Sequence, residues 1–118
     1  MNFNAEKPIY QQIVDYAYAR IMENDWVQGG RLPSVRELSS QMAVNTHTVL
    51  KAYDMLESQG IIAVKRGMGY YLTDDAYNQV LAERRRRFIN VTLPEFLADM
   101  KLLNLTFNDL TNFNKANS

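Results

Sequence analysis

Apolar residues recur at helical spacing along most of this chain and crowd into a short glycine-split stretch near its middle. Ile9, Ile13, Ala17 and Ile21 stand four apart, with Tyr10, Val14 and Tyr18 beside them. That pattern predicts an amphipathic helix over residues 8–24, with Pro8 as its first residue, where a missing N–H costs nothing. Trp26 and Val27 are then expected to anchor a loop that turns at Gly29 and Gly30. Ser34-Val35-Arg36-Glu37 has the form of a capping box and predicts a short helix over residues 35–42, with Val35, Leu38 and Met42 as its buried stripe. Ala43 and Val44 supply a tight turn. Asn45 is a suitable N-cap for a third helix over residues 46–59, in which Val49, Ala52, Tyr53 and Leu56 follow helical spacing up to Gly60.

The pattern then changes. Residues 61–64 and 70–72 are β-branched, aromatic and apolar, and Lys65-Arg66-Gly67-Met68-Gly69 lies between them. Two short strands around a glycine loop form a hairpin. Asp74 and Asp75 mark a break, and the spacing of Tyr77, Val80, Leu81, Phe88 and Ile89 predicts a helix over residues 76–90. Thr92-Leu93-Pro94-Glu95 is a second capping-box sequence and predicts a new helix from there to Leu103, ended by Asn104 in a left-handed conformation. Thr106-Phe107-Asn108-Asp109 opens a last helix to about Phe113, after which the final five residues are expected to fray.

Two helices separated by a tight turn and followed by a hairpin with a basic tip have the layout of a winged helix-turn-helix. The predicted fold class is mainly α with a small β-hairpin. A winged helix-turn-helix DNA-binding domain is expected over residues 1–75, and a short helical dimerisation segment over residues 76–118.

Composition narrows the possible chemistry. The chain has 118 residues, 47% of them apolar, which places it among globular domains. No apolar run approaches the roughly 18 residues of a membrane span. The first ten residues lack the basic and apolar regions of a secretory signal. Cysteine is absent, which excludes disulfides, thiolate metal sites and cysteine nucleophiles. A cytoplasmic location is the expectation. His47 is the only histidine and has no metal-ligand spacing around it, and no phosphate loop, dinucleotide fingerprint or nucleophile elbow occurs. An enzyme, a cofactor and a metal are therefore not expected. Net charge is zero, with 13 basic and 13 acidic residues, which is unusual for a nucleic-acid binder. The acidic residues of the first half, however, lie mostly outside the segment that holds Arg31, Arg36, Lys51, Lys65 and Arg66, and a local basic face can bind phosphates.

Each candidate residue has a functional and an ordinary reading. Thr46, His47, Thr48 and Lys51 open the third helix, where side chains reach base edges if the helix enters a major groove; otherwise they form a solvated face. Arg36 follows the cap of the second helix, whose N-terminal dipole favours a phosphate; otherwise it pairs with Glu37. Ser34 is counted with Arg36 among the candidate DNA-facing residues; its ordinary reading is the cap of that helix. Lys65, Arg66 and Gly67 form the hairpin tip, suited to a backbone or minor-groove contact, or to a plain solvated turn. Arg84, Arg85, Arg86 and Arg87 cover every side of their helix. They could pair with Glu95 or Asp99 of a second copy, extend a basic surface toward DNA, or be solvated.

Residues 8–72 resemble the DNA-binding domain of the GntR family of bacterial transcription regulators. The resemblance rests on PIYQQI, then GGRLPSVRELSSQMAV, then NTHTVLKAYDMLESQGII, then GMGYYL. The short tail, with LPEFLADMKLLNLTFNDL, resembles the YtrA subfamily, and about 43 residues are too few for the larger effector domains of other branches. The resemblance implies double-stranded DNA as partner, with the arginine of the LPSxR pattern, here Arg36, at the DNA. It also implies a tail that pairs two subunits. The chain departs from the family in one place: Thr46-His47 stands where members often carry arginine, asparagine or proline-asparagine. The docking mode transfers, but the base preference does not.

The apolar tail supports pairing on physical grounds as well. Val80, Leu81, Phe88, Phe96, Leu97, Met100, Leu103, Phe107 and Leu110 are expected at a homodimer interface, because so short a segment rarely forms a core alone. A two-fold dimer would read a palindromic operator. The expected function is thus a dimeric, sequence-specific transcription regulator, more readily a repressor. The alternative is a winged-helix protein-interaction module. A small-molecule effector is compatible with the sequence, but nothing in it points to one.

Overall fold

The computed structural model describes residues 6–118; the predicted domain's first five residues lie outside it. Six α-helices, a two-stranded sheet and one π turn follow in order: α1 Ile9–Met22, α2 Val35–Met42, α3 Thr46–Ser58, β1 Ile62–Lys65, β2 Gly69–Leu72, α4 Ala76–Arg87, a π turn Phe88–Thr92, α5 Leu93–Leu102 and α6 Phe107–Asn117. The chain divides into two compact units with the boundary between Ala82 and Glu83.

In the first unit, α1 and α3 pack against each other through the apolar stripes seen in the sequence. Ile13, Ala17, Tyr18 and Ile21 of α1 and Val49, Ala52, Tyr53 and Leu56 of α3 are buried, together with Leu38, Ile61, Ile62 and Leu72. Pro8 flanks α1 instead of opening it: at φ −53°, ψ 142° its carbonyl accepts from the N–H groups of Gln11 and Gln12. The helix also stops two residues before the expected Asn24, which takes φ 61° and lets the N–H groups of Asp25 and Trp26 return to the Arg20 carbonyl.

The sheet is antiparallel, with Ile62 opposite Leu72 and Lys65 opposite Gly69. The segment before α2 joins it. Arg31 pairs with Tyr71, the Leu32 N–H donates to the Tyr70 carbonyl, the Leu72 N–H donates to the Gly30 carbonyl, and the Leu72 carbonyl accepts from the Gly29 N–H. Periodicity could not show this third, very short partner, because two glycines precede it.

Ala76 and Val80, one turn apart on α4, are buried in the core of the first unit. The compact winged-helix unit therefore extends past residue 75 into the first turns of α4.

In the second unit, the expected break at Thr92 is absent. Thr92 has helical angles and its side chain makes no cap bond. The helix passes instead through the π turn, where the Leu93 N–H donates to the Phe88 carbonyl five residues back. Pro94 explains the widened turn. It has no N–H to give the carbonyl of Asn90, and its ring would collide with that carbonyl in a regular α-helix. Asn104 ends α5 at φ 55°, as expected. Thr106 and Asp109 form the reciprocal capping box of α6, which holds Asp109 below the usual carboxylate range through bonds from the Thr106 N–H and hydroxyl. Contrary to the expected fraying, α6 continues to Asn117.

Candidate nucleic-acid interface

Three pieces of local chemistry shape the face that carries the candidate residues. The first is the start of α2. The Ser34 hydroxyl accepts from the Glu37 N–H at 3.0 Å and the Ser34 N–H donates to the Glu37 carboxylate at 3.2 Å. These bonds, first the backbone one from Ser34, hold the Glu37 carboxyl below its usual range, and Arg31 adds to the effect. Because Glu37 is committed to its cap, Arg36 is left exposed and has no ion pair among the described residues. The ordinary alternative for Arg36, an ion pair with Glu37 or another acid, is absent among the described residues.

The second is the turn into α3. Ala43 takes a left-handed conformation, φ 56°, ψ 46°, and the Val44 N–H returns to the Ser39 carbonyl at 3.1 Å. The Ser39 hydroxyl closes the same turn on the Val44 carbonyl. Asn45 then caps α3 by accepting from the His47 N–H at 2.8 Å. Thr46 and His47 are exposed at this capped end, and Thr48 is half-buried.

The third is the wing. Gly67 has φ 75° in the turn where the Met68 N–H donates to the Lys65 carbonyl. A side chain at Gly67 would meet nothing, so its glycine answers a backbone need, not crowding. Arg66, Gly67 and Met68 are the tip. Lys65, expected in the loop, belongs to β1 because it pairs with Gly69.

Tyr53 ties these pieces together. Fully buried on α3, it donates its hydroxyl to the Pro33 carbonyl at 2.7 Å and meets the Tyr70 ring of β2 edge-on at 4.8 Å. Burial pushes its phenol far above the ordinary range, with Tyr70 and Glu37 adding to the shift. One side chain thus connects α3, the residue before the α2 cap and the wing.

Two lysines lie on aromatic rings. The Lys51 ammonium is 4.1 Å from the Tyr10 ring centroid, and that of Lys65 is 4.3 Å from Tyr71. Such exposed contacts contribute only about 0.5–1 kcal/mol. A phosphate or guanine contact at about 1–3 kcal/mol outweighs them, so the rings park the lysines without disabling them. Sequence reasoning put Arg31 in the basic segment without a role of its own, and did not place Tyr53 or Tyr10 at this face. Arg31 is exposed, and its guanidinium lies beside Gly69, where an added Cβ would sit 3.5 Å from Nε. Helical periodicity marks Tyr53 and Tyr10 as apolar positions but not their partners, which come from packing between elements.

Val80, expected at a dimer seam, has no exposed surface and belongs to the core of the first unit. Its phase on α4, four residues after Ala76, turns it inward. Met100 is also buried, within the second unit, whereas Phe88, Phe96, Leu97, Leu103, Phe107 and Leu110 are exposed and Leu81 is half-buried. Arg86 pairs with Glu83 at 2.6 Å. Arg84 and Arg85 are exposed and make no ion pair among the described residues. No group of three or more candidate metal ligands occurs among the described residues, and no described helix is long and apolar enough to cross a membrane.

The family described as bacterial regulatory proteins, gntR family, matches residues 9–72, from the start of α1 to the end of the wing. The chain belongs to the gntR family. It is 37% identical over 92 residues to the HTH-type transcriptional repressor YtrA of Bacillus subtilis, covering 78% of this chain and 70% of that protein. Among solved structures, a GntR family transcriptional regulator from Listeria monocytogenes superposes with a TM-score of 0.81 at 33% identity, over 97% of this chain and 98% of that one. The AraR DNA-binding domain, solved in complex with an operator, gives a TM-score of 0.56 at 26% identity, over 62% of this chain and 88% of that one. This gntR-family protein is therefore a DNA-binding transcription regulator with a YtrA-like tail, and its family consists of regulators, not enzymes.

Proposed function

We propose that this protein is a homodimeric repressor that reads a palindromic operator in the cytoplasm. In this reading α3 enters the major groove, and the wing, residues 65–69, lies along the backbone and minor groove. The observation that carries it is the exposed, capped start of α3, with Thr46 and His47 free of other work and fixed by Tyr53 relative to Arg36 and the wing. Thr46, His47, Thr48 and Lys51 take base edges or nearby phosphates. Arg36, at the α2 N-terminus, takes a phosphate where the helix dipole already favours one. Ser34 shapes that N-terminus through its cap. Lys65, Arg66 and Gly67 meet the backbone or minor groove, and Arg31 extends the same basic edge.

Pairing of two copies is supported by the second unit. Of residues 83–118 only Met100 is buried, while Phe88, Leu103 and Phe107 are each more than half exposed. A segment of that length with one buried apolar residue cannot hold itself together by its own core. A second copy supplies the missing cover, with an isologous seam formed by Phe88, Phe96, Leu97, Leu103, Phe107 and Leu110. Arg84 and Arg85 then pair with acids such as Glu95 and Asp99 of the other copy.

Fluorescence anisotropy of labelled duplexes tests the division of roles. His47→Ala or Lys51→Ala is expected to cost about 1–3 kcal/mol on the operator and little on random DNA. Arg66→Ala is expected to weaken both alike and to reduce the salt slope by about 0.9, the value for one phosphate contact. Equal losses on both duplexes for all three variants overturn the assignment.

A further inference from the structure

A pocket of about 340 Å³ lies inside the first unit, away from the start of α3. It is formed by the end of α1, the loop after it, the end of β2 and the first turn of α4. Its walls are Ile21, Trp26, Leu72 and Tyr77, and its polar groups include Asn24, Gln28 and Asp74. The volume falls in the range of small-molecule sites.

Among the described residues that line it, Asp74 is the one that carries a charge. Arg20, next to Ile21 in α1, is held by Glu23 at 2.8 Å and Asp25 at 2.9 Å, so its charge is already answered. Asp75 accepts from the Asn78 amide at 3.2 Å. Asp74 has no ion pair or side-chain hydrogen bond among the described residues, although it lines the pocket. An exposed carboxylate that shares a pocket with a tryptophan and a tyrosine is complementary to a positive charge on an apolar body. Ring faces and carboxylate both attract a substituted ammonium, and the same groups repel an anion. Thr73 adds nothing to recognition, since its hydroxyl is committed to the carbonyls of Gly60 and Ile61.

We propose that this pocket binds a small organic cation, a substituted ammonium with an aromatic or apolar body, with Asp74 as counter-ion and Trp26 and Tyr77 as ring walls. The site is separate from the DNA-facing residues and does not rest on the operator reading. Because it draws on α1, the strand that ends the wing, and α4, an occupant stabilises all three together.

Trp26 is the only tryptophan of the chain, so selectively excited emission reports the pocket directly. The full-length protein, without DNA and at low ionic strength, is titrated to millimolar concentrations with benzyltrimethylammonium and, in parallel, with neutral benzyl alcohol. The expected result is a saturable change with the cation alone. Asp74→Asn is expected to weaken that binding about fivefold, as for one partly exposed ion pair. Tyr77→Ala is expected to weaken it further, while Lys115→Ala, on α6, leaves it unchanged. Melting curves of each variant without ligand confirm that the fold is kept. No saturable response to the cation, an equal response to benzyl alcohol, or an unchanged affinity in Asp74→Asn overturns the proposal.

Discussion

Ala43 takes the least favourable backbone conformation of the helix-turn-helix. A left-handed alanine costs about 1–2 kcal/mol, and a glycine there gives back part of the gain as unfolded-chain entropy. Ala43→Gly is therefore expected to raise stability by about 0.5–1 kcal/mol in urea unfolding; a loss would show that the Ala43 methyl group matters more than its φ. Glu37 offers a second test. Its carboxyl is held below the ordinary range by the Ser34 bonds, so the stability it adds is present above the unfolded carboxylate pKa and is lost as pH falls through the lower folded value. Wild type is expected to be more stable than Glu37→Gln at neutral pH, and the gap is expected to close in acid. A gap that widens in acid contradicts the capping account. At this scale the sequence was legible wherever a side chain bonds its own backbone neighbours, as at Ser34, Asn45 and Thr106. It placed Tyr53 on the apolar stripe of its helix but was silent on its hydroxyl's partner, because the Pro33 carbonyl lies 20 residues away along the chain.

Element boundaries followed the same logic, and the failures have identifiable causes. Helices α2 and α3 begin where their caps predicted, because Ser34 and Asn45 both stand in extended backbone. Thr92 has the same local spelling as Thr106, yet only Thr106 caps a helix. The difference is Pro94: a proline near a helix start reads as a beginning, but here a π turn absorbs it and the helix continues. Pro94→Ala restores a donor and removes the ring. It is expected to stabilise residues 88–98 by about 1–2 kcal/mol, less than the roughly 3 kcal/mol of an unrelieved interior proline. Slower hydrogen exchange of those amides checks this, and faster exchange would mean that the π turn is favoured for another reason.

For the whole molecule, the winged-helix unit was legible because its core is made of periodic stripes. The proposed dimer seam rests, in the sequence, only on an excess of apolar residues. Val80 shows the limit: a hydrophobic residue on a tail helix reads the same whether it faces its own core or a partner, and only the phase set by Ala76 decides. Leu103→Asp or Phe107→Asp, at exposed positions, is expected to raise the dimer dissociation constant about 30-fold or more each, as for a central interface anchor. Sedimentation across the micromolar range reads this out, and wild type sedimenting as a monomer removes the dimer.

The most direct test of a dimeric operator reader is selection of binding sites from random duplex DNA by the purified protein at about 0.15 M salt, where weak non-specific binding is suppressed. The expected product is an enriched inverted repeat with half-sites about one helical turn or less apart. Enrichment of a single unrepeated half-site, or no enrichment from folded protein, would contradict the account.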